Sequence, residues 1–71
     1  MRNPDRLEQI YDIVLTLHKK YFPDWRIMQL MNNFFMWHYN KYKTDGYYLE
    51  DIEFIAKFKN FVREVTGDYF D

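Results

Sequence analysis

The chain has 71 residues, enough for one small domain with one core. Ten Lys and Arg against eleven Asp and Glu leave a net charge of −1, which lacks the basic excess that marks most nucleic-acid binders. With no cysteine and two glycines, disulfides, zinc–thiolate sites, thiol catalysis and glycine-rich phosphate or dinucleotide loops are all excluded.

The periodicity predicts an all-α fold: a compact three-helix domain over residues 1–71, with helices at about 4–21, 25–43 and 50–66 and a central second helix. The first helix is signalled by Asn3-Pro4, a preferred N-cap followed by a residue favoured at the first helical position. Leu7, Ile10, Tyr11, Val14, Leu17, His18 and Tyr21 then recur at helical spacing, and Pro23 turns Phe22 away from helical angles. Asp24 is the expected cap of the second helix. There Ile27, Met28, Leu30, Met31, Phe34, Phe35, Tyr39 and Tyr42 cover an arc of roughly 180–200°, wider than the ~100° stripe of a helix covered on one side. A helix so broadly apolar is expected to be packed by at least two neighbours.

Thr44-Asp45-Gly46 ends the second helix, with Gly46 suited to a left-handed conformation, and Tyr47-Tyr48-Leu49 is expected to be extended or loop. Glu50, with Asp51 as the competing choice, caps the third helix, whose stripe is Phe54, Ile55, Phe58, Phe61, Val62 and Val65. Lys57, Lys59 and Arg63 fall off that stripe and read as solvated surface. Gly67 closes the helix, and Asp68-Tyr-Phe-Asp71 is a short tail expected to fray.

Little in the chain carries chemistry. His18 and His38 lie beside apolar positions of their helices, where a histidine is usually packed and singly hydrogen-bonded, and four zinc ligands are not assembled by any spacing. Serine and cysteine are absent, and Thr16, Thr44 and Thr66 are the only hydroxyl candidates for a nucleophile. No catalytic residue, cofactor or metal is expected. The candidate site is instead a narrow polar face on the second helix, formed by Arg26, Gln29, Asn33 and Asn40 with Trp25, Met36 and Trp37 beside them. Two roles compete for it. In one, Arg26 pairs with an ion-pair corner at Glu50 or Asp51 while Gln29 and Asn33 bond the backbone of residues 47–49. In the other, the face is exposed and binds a protein, since aromatic anchors with an arginine are the usual composition of binding hot spots.

Three blocks, Met1-Arg2-x-Pro4-x-Arg6-Leu7, Pro23-Asp24-Trp25-Arg26-x-x-Gln29-Leu30-x-x-Asn33 and Tyr47-Tyr48-Leu49-Glu50-Asp51-x-x-Phe54, resemble a group of short uncharacterised helical proteins of bacteria and their phages and prophages. The resemblance covers nearly the whole chain. It departs at Trp25, where such proteins often carry Leu, and over 34–43, which is longer and more aromatic. What it implies is a small cytoplasmic helical protein encoded by a phage or prophage; it brings no established activity.

The function expected from these observations is a non-enzymatic protein-interaction module. As a phage or prophage product it would act on a host protein, with inhibition of a defence system as one form of that action. A homodimer that hides surplus aromatics is a second possible partner arrangement, and a small nucleic-acid-associated regulator is the alternative function. A polar N-terminus and the lack of a long apolar run point to the cytoplasm and away from the membrane.

Overall fold

The computed structural model describes residues 3–70. Met1 and Arg2, which open the first resemblance block, and Asp71 of the expected tail lie outside the described residues. Among the described residues there are three α-helices and no strand: α1 (Arg6–Tyr21), α2 (Ile27–Tyr42) and α3 (Asp51–Thr66), with a short 3-10 turn at Gly46–Tyr48 between the last two. The all-α, three-helix architecture read from the periodicity is the observed one, each helix boundary falling within two residues of its expected place.

The helix ends differ from expectation in instructive ways. Asn3 does accept a backbone hydrogen bond, from Asp5 N–H at 3.0 Å, but the following bonds Arg6 N–H to Asn3 O and Leu7 N–H to Pro4 O have three-residue spacing. The chain therefore enters α1 through a tight turn, and Asp5 rather than Asn3 is the residue before the helix. Asp24 does not cap α2. A turn closed by Trp25 N–H on Phe22 O at 3.0 Å uses Asp24, and α2 begins after Arg26. There Gln29 Oε1 accepts from Arg26 N–H at 3.4 Å; an arginine side chain has no acceptor, so this is half a capping box only. The left-handed residue that ends α2 is Lys43 (φ 61°), not Gly46. Gly46 is needed for a different reason. It is buried against Phe35, and a Cβ there would sit 2.9 Å from the Phe35 ring. Residues 46–48 form the 3-10 turn in place of an extended segment, with Asp45 Oδ1 accepting from Tyr47 N–H at 2.9 Å. Glu50 precedes α3 without a side-chain cap, and Gly67 (φ 76°) closes that helix as expected.

The core is largely aromatic. Leu17, Phe22, Leu30, Phe34, Phe58, Phe61 and Val62 are buried, and Phe34 is at its centre. Its ring meets Phe54 and Phe61 edge-on, at 5.4 and 5.7 Å between centroids, and Phe58 at 5.6 Å. Edge-to-face pairs of this kind each add about 0.5–1.5 kcal/mol to the hydrophobic term.

Although Phe34 is the core's centre, α2 is not the central helix. α3 packs against both α1 and α2, whereas α1 and α2 approach each other only sparingly. Arg6 Nε donates to Asp51 Oδ2 at 2.7 Å at the start of α1 and α3, and Tyr21 OH donates to Asp68 Oδ2 at 2.6 Å at their far ends. These two helices thus lie side by side in the same direction. Leu30, Phe34 and His38 of α2 are buried and Met31 and Trp37 are half-buried against the core, whereas Ile27, Met28, Phe35, Tyr39 and Tyr42 of its apolar arc are exposed. The radius of gyration, 12.2 Å, exceeds the ~11 Å expected for a tightly packed chain of this length, in keeping with helices that splay.

The C-terminal tail also departs from expectation. Phe70 folds back onto the core beside Tyr21, at 5.5 Å between rings, and Arg63 donates from Nε and Nη2 to Phe70 O at 3.2 and 3.1 Å. Arg63 also lies over the Phe70 ring at 4.9 Å, and Lys57 Nζ over the Tyr42 ring at 3.7 Å. These two cations are clamps on aromatic neighbours and not simple solvated charges.

Candidate protein-binding surfaces

The polar stripe of α2 points outward, but its aromatic members do not. Trp25 is half-buried and stacks on Phe22 with centroids 4.2 Å apart and planes 15° from parallel. The loop that holds it is pinned by His18, whose Nε2 donates to Trp25 O at 2.7 Å. Trp37 is half-buried between Phe34 and Phe61, at 5.9 and 5.7 Å. Arg26, Gln29, Met36 and Asn40 are exposed and Asn33 is half-buried. Of the two acids of the ion-pair corner, Asp51 is taken by Arg6 and not by Arg26, because α3 starts beside the first turn of α1. Both partners of that pair are about a third exposed, so it contributes no more than about 1 kcal/mol. Nor do Gln29 and Asn33 hold residues 47–49, which are satisfied by Asp45 and by Leu49 N–H on Gly46 O at 3.1 Å.

Two apolar surfaces replace the expected one. Where α1 and α2 diverge over the start of α3, a groove of about 410 Å³ opens between Leu7, Ile10, Tyr11 and Val14 on one wall and Ile27 and Met31 on the other, with Phe54 as floor. Tyr11 and Ile27 at its lips are 68% and 52% exposed. Asp51 is its one ionised residue and is already engaged by Arg6. Further round α2, Phe35, Met36, Tyr39, Asn40 and Asp45 line a hollow of about 380 Å³ beside the 3-10 turn. Reasoning from sequence assigned Ile27, Met28, Phe35 and Tyr39 to the core. Nothing in the sequence separates them from core residues: from Ile27 to Asn40 there is no Asp, Glu, Lys or Arg, where the chain average of 30% would place about four, and an uncharged helix reads as a buried one.

A third groove, about 560 Å³, runs between α1 and α3 over Ile13, Leu17 and Phe70. Its rim carries Asp5 just before α1, Glu8 and Asp12 from α1 and Lys59 from α3. Asp5 and Glu8 belong to the start of α1, where carboxylates complement the helix dipole.

The titratable groups that depart from their ordinary values are at the periphery. The Lys41 ammonium donates to Glu64, which raises Lys41 and holds the Glu64 carboxylate below its usual value, the Trp37 indole adding to the second effect. The Tyr21 phenol is raised by its hydrogen bond to Asp68. None of the three lines a groove with a nucleophile. The Thr66 hydroxyl donates to Val62 O at 2.7 Å, and among the described residues no three of His, Asp or Glu are placed to hold a metal ion. No described helix is long and apolar enough to cross a membrane. Comparison with protein-family models, curated proteins and solved structures finds no match to this chain.

His38 is the one buried polar side chain among the described residues, with no exposure at all. Its Nδ1 is 3.0 Å from Thr44 O; a carbonyl only accepts, so the proton is on Nδ1. Nε2 is buried without a hydrogen-bond partner. The ring is packed against Phe34 and Tyr42, at 6.0 and 4.9 Å, so the sequence expectation of a packed, singly bonded histidine describes it.

Proposed function

We propose that this protein acts without catalysis, by holding an apolar segment of another protein in the groove between α1 and α2. The observation that carries this reading is the groove itself: two helical walls of large aliphatic and aromatic side chains, open to solvent, with its one ionised group neutralised by Arg6. An amphipathic helix presenting two or three large apolar side chains is the occupant whose chemistry fits, by the helix-in-groove mode. The scarcity of nucleophiles and the peripheral placement of the perturbed groups favour binding over chemistry. The resemblance to short phage and prophage proteins supports a host protein as the target, a defence component included, and the lack of cysteine suits a reducing cytoplasm.

The test is site-specific photo-crosslinking in host extract. A photoreactive residue at Tyr11 is expected to give a discrete adduct that Ile27→Lys abolishes, while the same probe at Glu53, exposed at the start of α3, gives none. Adducts of equal yield at both positions, or none at Tyr11, would remove the groove as the site. Trp37→Ala is unsuited to this purpose, because that ring supports Phe34 and Phe61.

A further inference from the structure

The outer face of α2 is distinct from the groove and carries an inference that does not depend on it. Met28, Met36 and Tyr39 are 71%, 57% and 57% exposed, and Phe35 beside them is only partly covered by Gly46. Asn32 and Asn40 complete the face, and Tyr47 and Tyr48 of the 3-10 turn, both exposed, extend the aromatic surface nearby. An uncovered helix of a soluble protein ordinarily presents charged residues to water. This one presents Met, Phe, Tyr and carboxamides, the composition enriched at the centre of protein interfaces, where charged residues are depleted.

We propose that a second copy of this chain covers this face, α2 against α2, about a twofold axis near Phe35 and Met36. Symmetry is the reason to choose a second copy over a different protein. In a twofold contact each residue near the axis meets its own counterpart, so any ionised side chain there would meet like charge. Along α2 the face has no charge of either sign from Ile27 to Asn40; the one ionised residue beside it, Asp45, precedes the 3-10 turn and its Oδ1 accepts from Tyr47 N–H, so little is offered for a charged partner to complement. Its polar groups suit self-pairing as well: carboxamides and phenols are both donors and acceptors, so Asn32, Asn40 and Tyr39 can each bond an identical group. A lipid surface fits less well. Helices that lie on membranes carry Lys and Arg along their polar flank, and here that flank is Gln29, Asn33 and Asn40, with one cation, Arg26, at the residue before the helix.

Sedimentation equilibrium over a concentration series tests the proposal. The wild type is expected to pass from monomer to dimer with a dissociation constant on the order of micromolar, since a face of a few side chains leaves a modest surplus over the entropy of association. Met36→Lys and Tyr39→Lys, both at exposed positions and checked for unchanged helicity, are each expected to weaken self-association by about tenfold or more by setting like charges across the axis. Mixing Tyr39→Lys with Tyr39→Glu is expected to restore a dimer, which a variant that had merely misfolded could not do. Tyr11→Lys, in the groove, is expected to leave the dimer intact, so that loss of the groove reading and loss of this one are told apart. A wild type that stays monomeric throughout, a dimer indifferent to the charges at 36 and 39, or co-sedimentation of wild type with anionic vesicles that those charges abolish would each overturn it.

Discussion

Replacing His38 with leucine is expected to stabilise this protein, and the structure supplies the terms. In the folded state the imidazole gains one hydrogen bond, Nδ1 to Thr44 O, and strands Nε2 in an apolar surround of Phe34 and Tyr42. A hydrogen bond of that type is worth about 0.5–1.5 kcal/mol net, whereas a buried polar group without a partner costs about 1–3 kcal/mol. In His38→Leu the first term is lost and the second removed. Thr44 is exposed, so its freed carbonyl returns to water and adds no new penalty. Leucine is close to histidine in volume, which keeps the site filled and avoids the overpacking cost of a larger side chain. The balance is a gain of about 0.5–1.5 kcal/mol against a total stability of roughly 4–10 kcal/mol for 71 residues. At about 4–8 °C per kcal/mol for a domain of this size, Tm should rise by several degrees. His38→Ala removes the same stranded nitrogen but leaves a cavity where the ring was, and should lose about 2–4 kcal/mol. Thermal and urea unfolding followed by far-ultraviolet circular dichroism measure both. If leucine proves as damaging as alanine, the Thr44 anchor outweighs the stranded nitrogen and the reasoning fails.

Two other consequences can be checked by the same measurements. Phe70→Ala should cost about 1–2 kcal/mol, combining a half-buried ring with its Arg63 contact, and lower Tm by roughly 5–12 °C; an unchanged Tm would mean the tail does not dock. Glu64→Gln tests pH dependence. Because the Lys41 hydrogen bond holds Glu64 below its ordinary 4.5, the pair's contribution is present above that value and is lost as pH falls through the lowered one. Wild type should therefore be slightly more stable than Glu64→Gln near neutrality and equal to it well below pH 4.5, and a gap that persists in acid would contradict the assignment.

The helices were legible because their stripes are long and regular, and because Pro23 and Gly67 interrupt them without ambiguity. What escaped sequence reasoning was decided by packing. Asp24 is a better cap than Arg26 on propensity, yet the Phe22–Trp25 stack and the His18 bond to Trp25 O commit the loop and postpone the start of α2. Residue type favours Gly46 for the left-handed turn; the turn closes three residues earlier at Lys43, and the glycine serves the approach of Phe35. The site was misread for a related reason. Trp25 and Trp37 adjoin the polar stripe in helical projection, but each is drawn inward by a phenylalanine, Phe22 and Phe34 respectively. The groove depends on α3 lying parallel to α1, and periodicity does not encode which helix pair diverges.

The breadth of the apolar arc on α2 therefore has a different meaning from the one periodicity suggests. An arc twice as wide as one neighbour can cover implies a second cover, and within the fold that second cover is partial: α1 approaches α2 only sparingly, and the 3-10 turn lies over Phe35 and His38. A chain under selection for a soluble monomer would relieve the excess cheaply by placing Lys or Glu at Met28, Met36 or Tyr39, none of which contributes to the buried core. The arc's two uncovered parts differ in kind, which is why they are assigned different occupants. On the α1 side the surface is concave, with walls from two helices, and suits an inserted side chain or helix. On the outer side one helix supplies the face, with a hollow beside the 3-10 turn, and its carboxamides and phenol, each donor and acceptor, suit a copy of that face.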